Sequence, residues 1–274
     1  MSFTPQRKPK NRLKKVILSL VAIYVMFGAA LYFIQETILF RPTVLEQQYQ
    51  FEFDHSFEEL NFNTTDGAVI NAIHFKAENP KGIIIYFHGN AGDLSRWGKI
   101  TEQFVDFNYD VLVMDYRTYG KSTGKLSEKA LYEDAQLCYD YAANLFNVED
   151  IIIFGRSLGT GVASHLASKN ACSQLILETP YYSIADVAKY RFPIFPVKAL
   201  LKYKIPTYKY LEEVDCPITI FHGTEDYVVP YNSGKKLKDA SSKDINFITI
   251  EGGEHNNLVD FEIYREGLED LLNQ

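Results

Sequence analysis

The 274-residue chain has few of the residues that build covalent or metal-bound frameworks. Its cysteines are odd in number and widely spaced, which fits neither a disulfide framework nor a zinc site. We therefore interpret them as buried thiols or residues without a role. The chain also lacks internal repeats and low-complexity tracts, so nothing indicates a repeat architecture. The three cysteines are Cys138, Cys172 and Cys216.

Positive charge is scarce beyond the first fifteen residues. Residues 1–15 form a basic arm with six basic residues and no acidic one, which leaves 22 basic and 35 acidic residues elsewhere, a formal net charge of −13. Nucleic-acid binding requires a concentrated basic surface, because phosphates must be neutralised. A body this acidic argues against a nucleic acid as partner.

Motifs for nucleotide cofactors and metals are missing as well. The glycines at positions 155, 159 and 161 fail the dinucleotide spacing G-x-G-x-x-G, and the phosphate-binding P-loop motif is absent. His88 and His222 show no paired spacing for a zinc ligand set. The sequence therefore predicts neither an organic cofactor nor a metal.

One long hydrophobic run is present, at residues 16–34, with nineteen residues and no charge. As a helix it spans roughly 28 Å, close to the bilayer core of about 30 Å. The positive-inside rule places residues 1–15 in the cytoplasm and exports the rest, so we predict a single-pass anchor. A signal peptide cleaved near Gly28 and Ala30 is the main alternative, and a buried core helix is the other.

The remaining chain is long enough for one large domain, which we place at residues 57–274 after a connector at residues 35–56. Two alternating segments flank Thr65-Asp66-Gly67 and predict an antiparallel hairpin. Short apolar runs then alternate with amphipathic stretches, which predicts an α/β fold: a mostly parallel eight-stranded sheet with helices on both faces. The predicted strands cover residues 57–63, 69–75, 83–87, 111–114, 151–154, 175–177, 218–221 and 247–250. The predicted helices cover residues 93–107, 127–145, 158–168, 232–240 and 258–272.

The alternation is interrupted once. Roughly forty residues separate the run at 175–177 from the run at 218–221, which predicts a cap insertion at about residues 180–214. Its stretch at residues 183–210 is aromatic and basic, with six lysines or arginines against only Asp186. One hypothesis is that Phe192, Phe195 and the lysines rest on anionic headgroups. The alternative is an ordinary solvated cap.

A candidate nucleophile follows the predicted strand at 151–154. The segment GRSLG at residues 155–159 has the pattern G-x-S-x-G between a strand and a helix, where flanking glycines permit a tight turn that exposes the serine. Ser157 would then lie at a helix N-terminus, where the backbone dipole favours developing negative charge. The alternative is an ordinary turn serine.

A serine hydroxyl needs a general base, and that base needs an orienting carboxylate. In this strand–turn–helix arrangement the order is nucleophile, acid, histidine. His255 follows the last predicted strand and is the only histidine that satisfies the order. Asp226 follows the preceding strand, with Glu225 and then Glu178 as rivals.

The tetrahedral intermediate needs two backbone N–H donors. We assign one to Leu158, directly after the nucleophile. The other we assign to Asn90 in the segment HGNAG at residues 88–92, with Ala91 as alternative. A glycine-rich turn without this role is the competing reading.

Five ordered blocks, FHGNAG, MDYRTYGKSTG, GRSLGTG, HGTEDYVVP and GGEH, together resemble the α/β-hydrolase-domain serine hydrolases. They are similar in particular to the membrane-anchored group with depalmitoylase-like and serine aminopeptidase-like members, over about residues 57–272. The resemblance implies the α/β-hydrolase fold and hydrolysis of a carboxylic ester, thioester or related acyl bond without a cofactor. One departure is Thr118, where relatives usually have glycine, and we expect a locally adjusted turn.

The sequence therefore predicts a membrane-anchored acyl hydrolase that acts on a small-molecule or lipid-like acyl substrate. An acyltransferase or a peptidase with the same triad, or a non-catalytic protein on this scaffold, remain open alternatives. The acyl group and the oligomeric state are not determined.

Overall fold

The computed structural model describes residues 10–273, so most of the predicted basic arm at residues 1–15 lies outside the described residues. Within this range the α-helices are α1 Lys10–Leu39, α2 Leu94–Thr101, α3 Glu128–Ala143, α4 Leu158–Ala167, α5 Ile184–Arg191, α6 Val197–Leu200, α7 Thr207–Leu211, α8 Tyr231–Ala240 and α9 Glu262–Leu272. The strands are β1 Arg41–Pro42, β2 Phe57–Asn63, β3 Val69–Phe75, β4 Gly82–Phe87, β5 Ala91–Gly92, β6 Tyr109–Met114, β7 Ile151–Arg156, β8 Gln174–Glu178, β9 Ile218–Gly223 and β10 Ile245–Ile250.

Eight of these strands form one sheet in the order β10-β9-β8-β7-β4-β6-β3-β2. The hairpin of β2 and β3 is antiparallel, β3 also pairs antiparallel with β6, and all the other neighbours are parallel. Strands β4 and β6 are buried along their whole length, because helices cover both faces of the sheet. The predicted fold class and all eight predicted strands are confirmed.

Two predicted helices are shorter than the pattern indicated. The helix predicted at 93–107 ends as an α-helix at Thr101 and continues as a 3-10 turn, Glu102–Phe107. The helix predicted at 258–272 begins with a separate 3-10 turn, Leu258–Asp260, before α9. Amphipathic spacing does not distinguish such tight turns from an α-helix, because both bury one face.

Helix α1 is about 45 Å long and is apolar enough over Arg12–Leu39 to cross a membrane. It ends at Leu39, immediately before Phe40, which is buried, and before Arg41–Pro42. The connector residues then lie against the domain. Strand β1 pairs in parallel with β5, and Phe51 is buried in the hydrophobic core of the sheet domain. Residues 40–56 are therefore packed on the sheet domain.

The cap insertion consists of α5, α6 and α7 and contacts helix α1. Phe195 of the cap stacks on Tyr24 of α1 with ring centroids 4.8 Å apart, and Phe27 lies 5.4 Å from the same ring. Phe195 is consequently buried, so it faces the first helix and is not available to headgroups. For Phe195 the headgroup hypothesis is wrong, because this ring packs on a neighbour that sequence spacing does not reveal.

Candidate active site

Ser157 lies at the sharp turn between β7 and α4. Its φ is 51°, in the left-handed region that costs a non-glycine residue roughly 1–3 kcal/mol. The turn is held because the Ser157 N–H donates to the Glu178 carbonyl at 2.9 Å and the Thr160 hydroxyl donates to the Ser157 carbonyl at 2.6 Å. The strained conformation of Ser157 is thus held by a hydrogen bond to β8 on one side and by one to the first turn of α4 on the other.

The flanking glycines are required by close approach. A Cβ added at Gly159 would lie 2.0 Å from the Phe87 carbonyl oxygen, and one added at Gly155 would lie 2.7 Å from the Ala163 Cβ. Any side chain at either position would push α4 away from β4 and β7. The glycines of the G-x-S-x-G pattern therefore allow the helix N-terminus to pack directly on the sheet.

The structure brings Ser157, His255 and Asp226 together. His255 Nε2 lies 2.9 Å from Ser157 Oγ, and His255 Nδ1 lies 2.7 Å from Asp226 Oδ2. The three residues come from the carboxyl ends of β7, β10 and β9, which meet at one edge of the sheet because these strands are parallel. All three are less than a tenth exposed. This geometry can transfer a proton from the serine to an oriented imidazole.

The rival carboxylates occupy other positions. Glu178 accepts a hydrogen bond from the Tyr264 hydroxyl at 2.9 Å and pairs with Arg156, whose Nε is 3.1 Å from it. Glu225 is exposed. Asp226 alone among the three contacts His255 within the described residues.

Asp226 is held as a carboxylate by its surroundings. Burial raises its pKa, but hydrogen bonds from His222 and His255 lower the pKa by more, so that it lies well below the ordinary value. Its Oδ1 also accepts from the Val228 and Val229 amides, each at 2.8 Å. Four donors therefore surround this side chain, and they fix the oxygen that faces His255.

His222 supports the loop that follows it, as its position in the sequence indicates, and it also approaches Asp226. Its Nε2 lies 3.4 Å from Asp226 Oδ2 and 3.0 Å from the Val229 carbonyl oxygen. A Cβ added at Gly234 would lie 2.1 Å from its ring, so α8 closes directly over it. The only signal for this role is its place on β9, four residues before Asp226.

The loop after β4 carries the second predicted N–H donor. Gly89 packs against the nucleophile, since a Cβ added there would lie 3.7 Å from the Ser157 Cβ. His88 Nδ1 lies 2.7 Å from the Gly89 carbonyl oxygen. Because C=O and N–H point in opposite directions across a trans peptide, this contact fixes the direction of the Asn90 N–H. Leu158 supplies an N–H in the first turn of α4, where no intrahelical acceptor exists.

Three further groups hold the same loop, and the sequence did not identify them. The Asn90 carbonyl accepts from the Tyr119 hydroxyl at 2.7 Å and from the Arg41 amide at 2.8 Å, and the Tyr116 hydroxyl donates to the His88 carbonyl at 2.8 Å. The tyrosines belong to the block after β6, which ends at the same edge of the sheet. Arg41 gave no signal, because a two-residue strand has no periodicity.

Thr118 corrects one expectation. We expected the turn to change locally around this threonine. Instead, Thr118 takes a φ of 75°, in the left-handed region that glycine adopts more easily. The Tyr119 amide donates to the Tyr116 carbonyl at 2.9 Å, so the turn keeps its closed form around the threonine. A β-branched residue in this region is strained. The buried tyrosines on either side impose the conformation.

Within residues 10–273, no three histidine, cysteine, aspartate or glutamate side chains group as ligands of a metal ion would. Arg117 is engaged structurally: it donates through Nε to Asp134 at 2.9 Å and pairs with Asp66. The groups converging on Ser157 are therefore an imidazole, a carboxylate and backbone amides, which suits nucleophilic attack on a carbonyl.

Comparisons with known proteins agree with this architecture. The family model described as serine aminopeptidase S33 matches residues 78–212. The alpha/beta hydrolase domain-containing protein 17C of Xenopus tropicalis is 30% identical over 232 residues, which cover 82% of this chain and 71% of that protein. An uncharacterized protein of Mycobacterium tuberculosis is 28% identical over 195 residues, covering 70% of this chain and 69% of that one.

Among solved structures, an esterase of Pyrococcus furiosus, Pf2001, has a TM-score of 0.64 at 16% identity, covering 85% of this chain and 96% of that one. At this identity the likeness shows the fold alone. The relative in Xenopus tropicalis matches over most of both chains. On these grounds the chain belongs to the α/β-hydrolase family.

Proposed function

We propose that the protein is a membrane-anchored serine hydrolase that cleaves a carboxylic ester or thioester through an acyl-enzyme intermediate. The observation that carries the proposal is the chain of short contacts from Ser157 Oγ to His255 to Asp226. Membership of the α/β-hydrolase family supports a hydrolase activity in general. The proposal requires no cofactor.

In the first step, His255 Nε2 takes the Ser157 proton as Oγ attacks the acyl carbon. Asp226 stabilises the imidazolium that results, which its lowered pKa permits because it remains ionised. The Asn90 and Leu158 amides stabilise the oxyanion. His255 then protonates the leaving group, and in the second step it activates the water that releases the acid.

The Ser157→Ala variant tests this proposal. We expect hydrolysis of p-nitrophenyl butyrate to fall by roughly 10⁴-fold or more while the thermal unfolding temperature stays near that of the wild type. Ser164→Ala is a matched control. Ser164 lies in α4, the helix that follows Ser157, and its hydroxyl donates to the Thr160 carbonyl. Unchanged turnover in Ser157→Ala would remove this serine from the nucleophile role.

The proposal places α1 across the membrane with residues 1–15 in the cytoplasm and the hydrolase domain, residues 57–274, on the exported side. The apolar stretch of α1 and the basic residues before it support this orientation. Protease added to sealed right-side-out vesicles should digest the domain. Full protection there, with digestion in inverted vesicles, would contradict the orientation.

A further inference from the structure

Helix α1 and the cap enclose an apolar cleft. On α1 it is lined at a spacing of four and three residues by Leu31, Gln35 and Ile38, which form one face of the helix. On α5 the matching face is formed by Ile184 and Ala188. The cavity between them is about 120 Å³, smaller than the roughly 300–1,000 Å³ of complete small-molecule sites, and it is open at its mouth.

The two polar residues of the lining are already engaged. The Gln35 amide donates to the Leu200 carbonyl at 3.1 Å and accepts from the Lys202 amide at 2.7 Å. The Arg191 guanidinium donates to the carbonyls of Tyr227 and Val228. The cleft therefore presents hydrocarbon to its occupant, and a polar ligand would lose its hydrogen bonds there.

Contacts connect the surroundings of the cleft both to the candidate active site and to the predicted span. Arg191 bonds the turn that carries Asp226, and three residues beyond Ile38 the Arg41 amide bonds the Asn90 carbonyl. On the other side, the stack of Phe195 on Tyr24 places the cap beside the middle of the predicted span at residues 16–34. The residues around the cleft are thus linked to the loops of the candidate active site on one side and to the predicted span on the other.

We propose that this cleft binds the long acyl chain of a lipid-like ester drawn laterally from the bilayer. This rests on the proposed hydrolase function and names its substrate class. The test compares hydrolysis of p-nitrophenyl palmitate and p-nitrophenyl acetate by the full-length protein in phospholipid nanodiscs. Ala188→Trp fills the cleft, and Ala199→Trp is the matched control, because Ala199 is exposed on the neighbouring cap helix α6.

We expect Ala188→Trp to lower the ratio of kcat/KM for palmitate over acetate at least tenfold, and Ala199→Trp to leave it unchanged. An unchanged ratio in Ala188→Trp overturns the acyl cleft while the esterase function stands. Absence of turnover in the wild type on both esters would instead count against the proposed function.

A second measurement does not require catalysis or a folded tryptophan variant. The Ser157→Ala protein is placed in nanodiscs with a phospholipid that carries a diazirine on its acyl chain. After irradiation, the cross-linked residues are mapped by mass spectrometry. Cross-links at residues 31–39 and 184–201 support the cleft. Cross-links confined to the exposed α1 side chains Met26 and Phe33 would overturn it.

An independent observation concerns two cysteines at the opposite edge of the sheet. Cys172 and Cys216 precede the adjacent parallel strands β8 and β9, and the Leu175 amide donates to the Pro217 carbonyl at 2.9 Å. Their Sγ atoms are 2.7 Å apart although 44 residues separate them in sequence. Sequence spacing alone gave no sign of this pairing.

Both cysteines are half-buried. Both cysteines line a surface cleft of about 300 Å³ together with Asp215. A hydrogen bond from Cys172 lowers the pKa of the Cys216 thiol, which favours its thiolate. Cys138, by contrast, is fully buried, and burial raises its pKa.

We infer that Cys172 and Cys216 form a disulfide in the presence of a small-molecule disulfide oxidant such as oxidised glutathione. The Cys216 thiolate attacks one sulfur of the oxidant and releases one thiolate. The Cys172 thiolate then attacks the mixed disulfide and releases the second. Two electrons pass to the oxidant, and the two cysteine protons end on its thiols or in solvent.

The test incubates the reduced full-length protein with oxidised glutathione, alkylates it and maps it without reduction. A cross-linked peptide pair containing Cys172 and Cys216, with Cys138 alkylated only after denaturation, is the expected result. Oxidation should raise the unfolding temperature in the wild type and in Cys138→Ser but not in Cys172→Ser, because the bridge closes the ends of the cap segment. Free thiols at both positions after incubation, or a bridge to Cys138, would overturn it.

Discussion

At the scale of single residues, Asp226 shows how burial and hydrogen bonding oppose each other. Burial alone would favour its neutral form, but donors from His222, His255 and two backbone amides favour the carboxylate. Because its pKa is lowered in the folded protein, this group stabilises the fold above its ordinary pKa of about 3.9 and loses that contribution as the pH falls below it. The charge is therefore present throughout the neutral range.

Asp226→Asn should lower kcat for p-nitrophenyl butyrate roughly 10³–10⁴-fold, because an amide does not stabilise the imidazolium or select the same tautomer of His255. Steady-state kinetics at neutral pH measure this. Glu225→Gln is the control, since Glu225 is the exposed neighbour in the same turn, and it should keep wild-type kinetics. Equal losses in both variants would show that the turn matters and the carboxylate does not.

Thr118→Gly should stabilise the protein by about 1 kcal/mol. Glycine adopts a positive φ without strain, and this gain exceeds the larger conformational entropy that glycine loses on folding. Differential scanning fluorimetry should show a higher unfolding temperature. Thr65→Gly, at an exposed turn position without a positive φ, should give no stabilisation. A lower unfolding temperature in Thr118→Gly would mean that the threonine makes contacts that outweigh its strain.

At the scale of elements, the cap and helix α4 are joined through an aromatic cluster. His165 in the last turn of α4 stacks on Tyr132 of α3 at 3.8 Å and lies edge-on to Tyr210 of the cap helix α7 at 5.0 Å. Burial, together with the Lys169 charge, lowers the pKa of His165 to about 4. The helix that carries the nucleophile thus depends on a histidine that stays neutral.

Because the folded pKa of His165 is about 4 and the ordinary value is 6.5, the unfolded chain binds a proton below pH 6.5 that the folded chain does not. This histidine therefore destabilises the fold as the pH falls from about 6.5 to about 4. In His165→Phe, the free energy of unfolding should fall less steeply with decreasing pH in that window, by up to ~1.4 kcal/mol per pH unit. Unfolding temperatures measured at pH 5 and pH 8 check this, with pH 8 as the internal reference. Parallel losses in both proteins on acidification would contradict it.

At the scale of the whole molecule, the connector is part of the folded domain, and the first helix contacts the cap of that domain. The helix contacts the cap through Phe195 and Gln35, and the connector pairs β1 with the loop that carries Asn90. We therefore place the functional boundary before residue 40, although the sequence pattern predicts a domain from residue 57. Helix α1 therefore continues directly into the segment that pairs with the loop carrying Asn90.

A fragment of residues 40–274 should fold and hydrolyse p-nitrophenyl butyrate, because it keeps Phe40, Phe51 and the pairing of β1 with β5. A fragment of residues 57–274 should lose up to about 100-fold in kcat/KM, since the Asn90 loop loses its bond from Arg41. Kinetics and circular dichroism of both fragments test this. Equal activity would show that the loop needs no support from the connector.

The sequence by itself determined the sheet. Eight strand runs and the antiparallel hairpin follow from hydrophobic periodicity, which reports which faces are buried, and the G-x-S-x-G turn follows from the steric needs of a tight strand-to-helix connection. The order of the blocks also predicted which serine, aspartate and histidine to examine, because parallel strands end at one edge.

Only the tertiary structure decided what packs across long separations. The contacts of Arg41 with Asn90, of Phe195 with Tyr24 and of Cys172 with Cys216 join elements that have no shared periodicity. The sequence marked Thr118 as standing where relatives usually have glycine, but only the structure shows that it keeps a positive φ. Local patterns encode burial and turn chemistry, whereas contacts between distant elements arise only when the whole chain minimises its exposed apolar surface together.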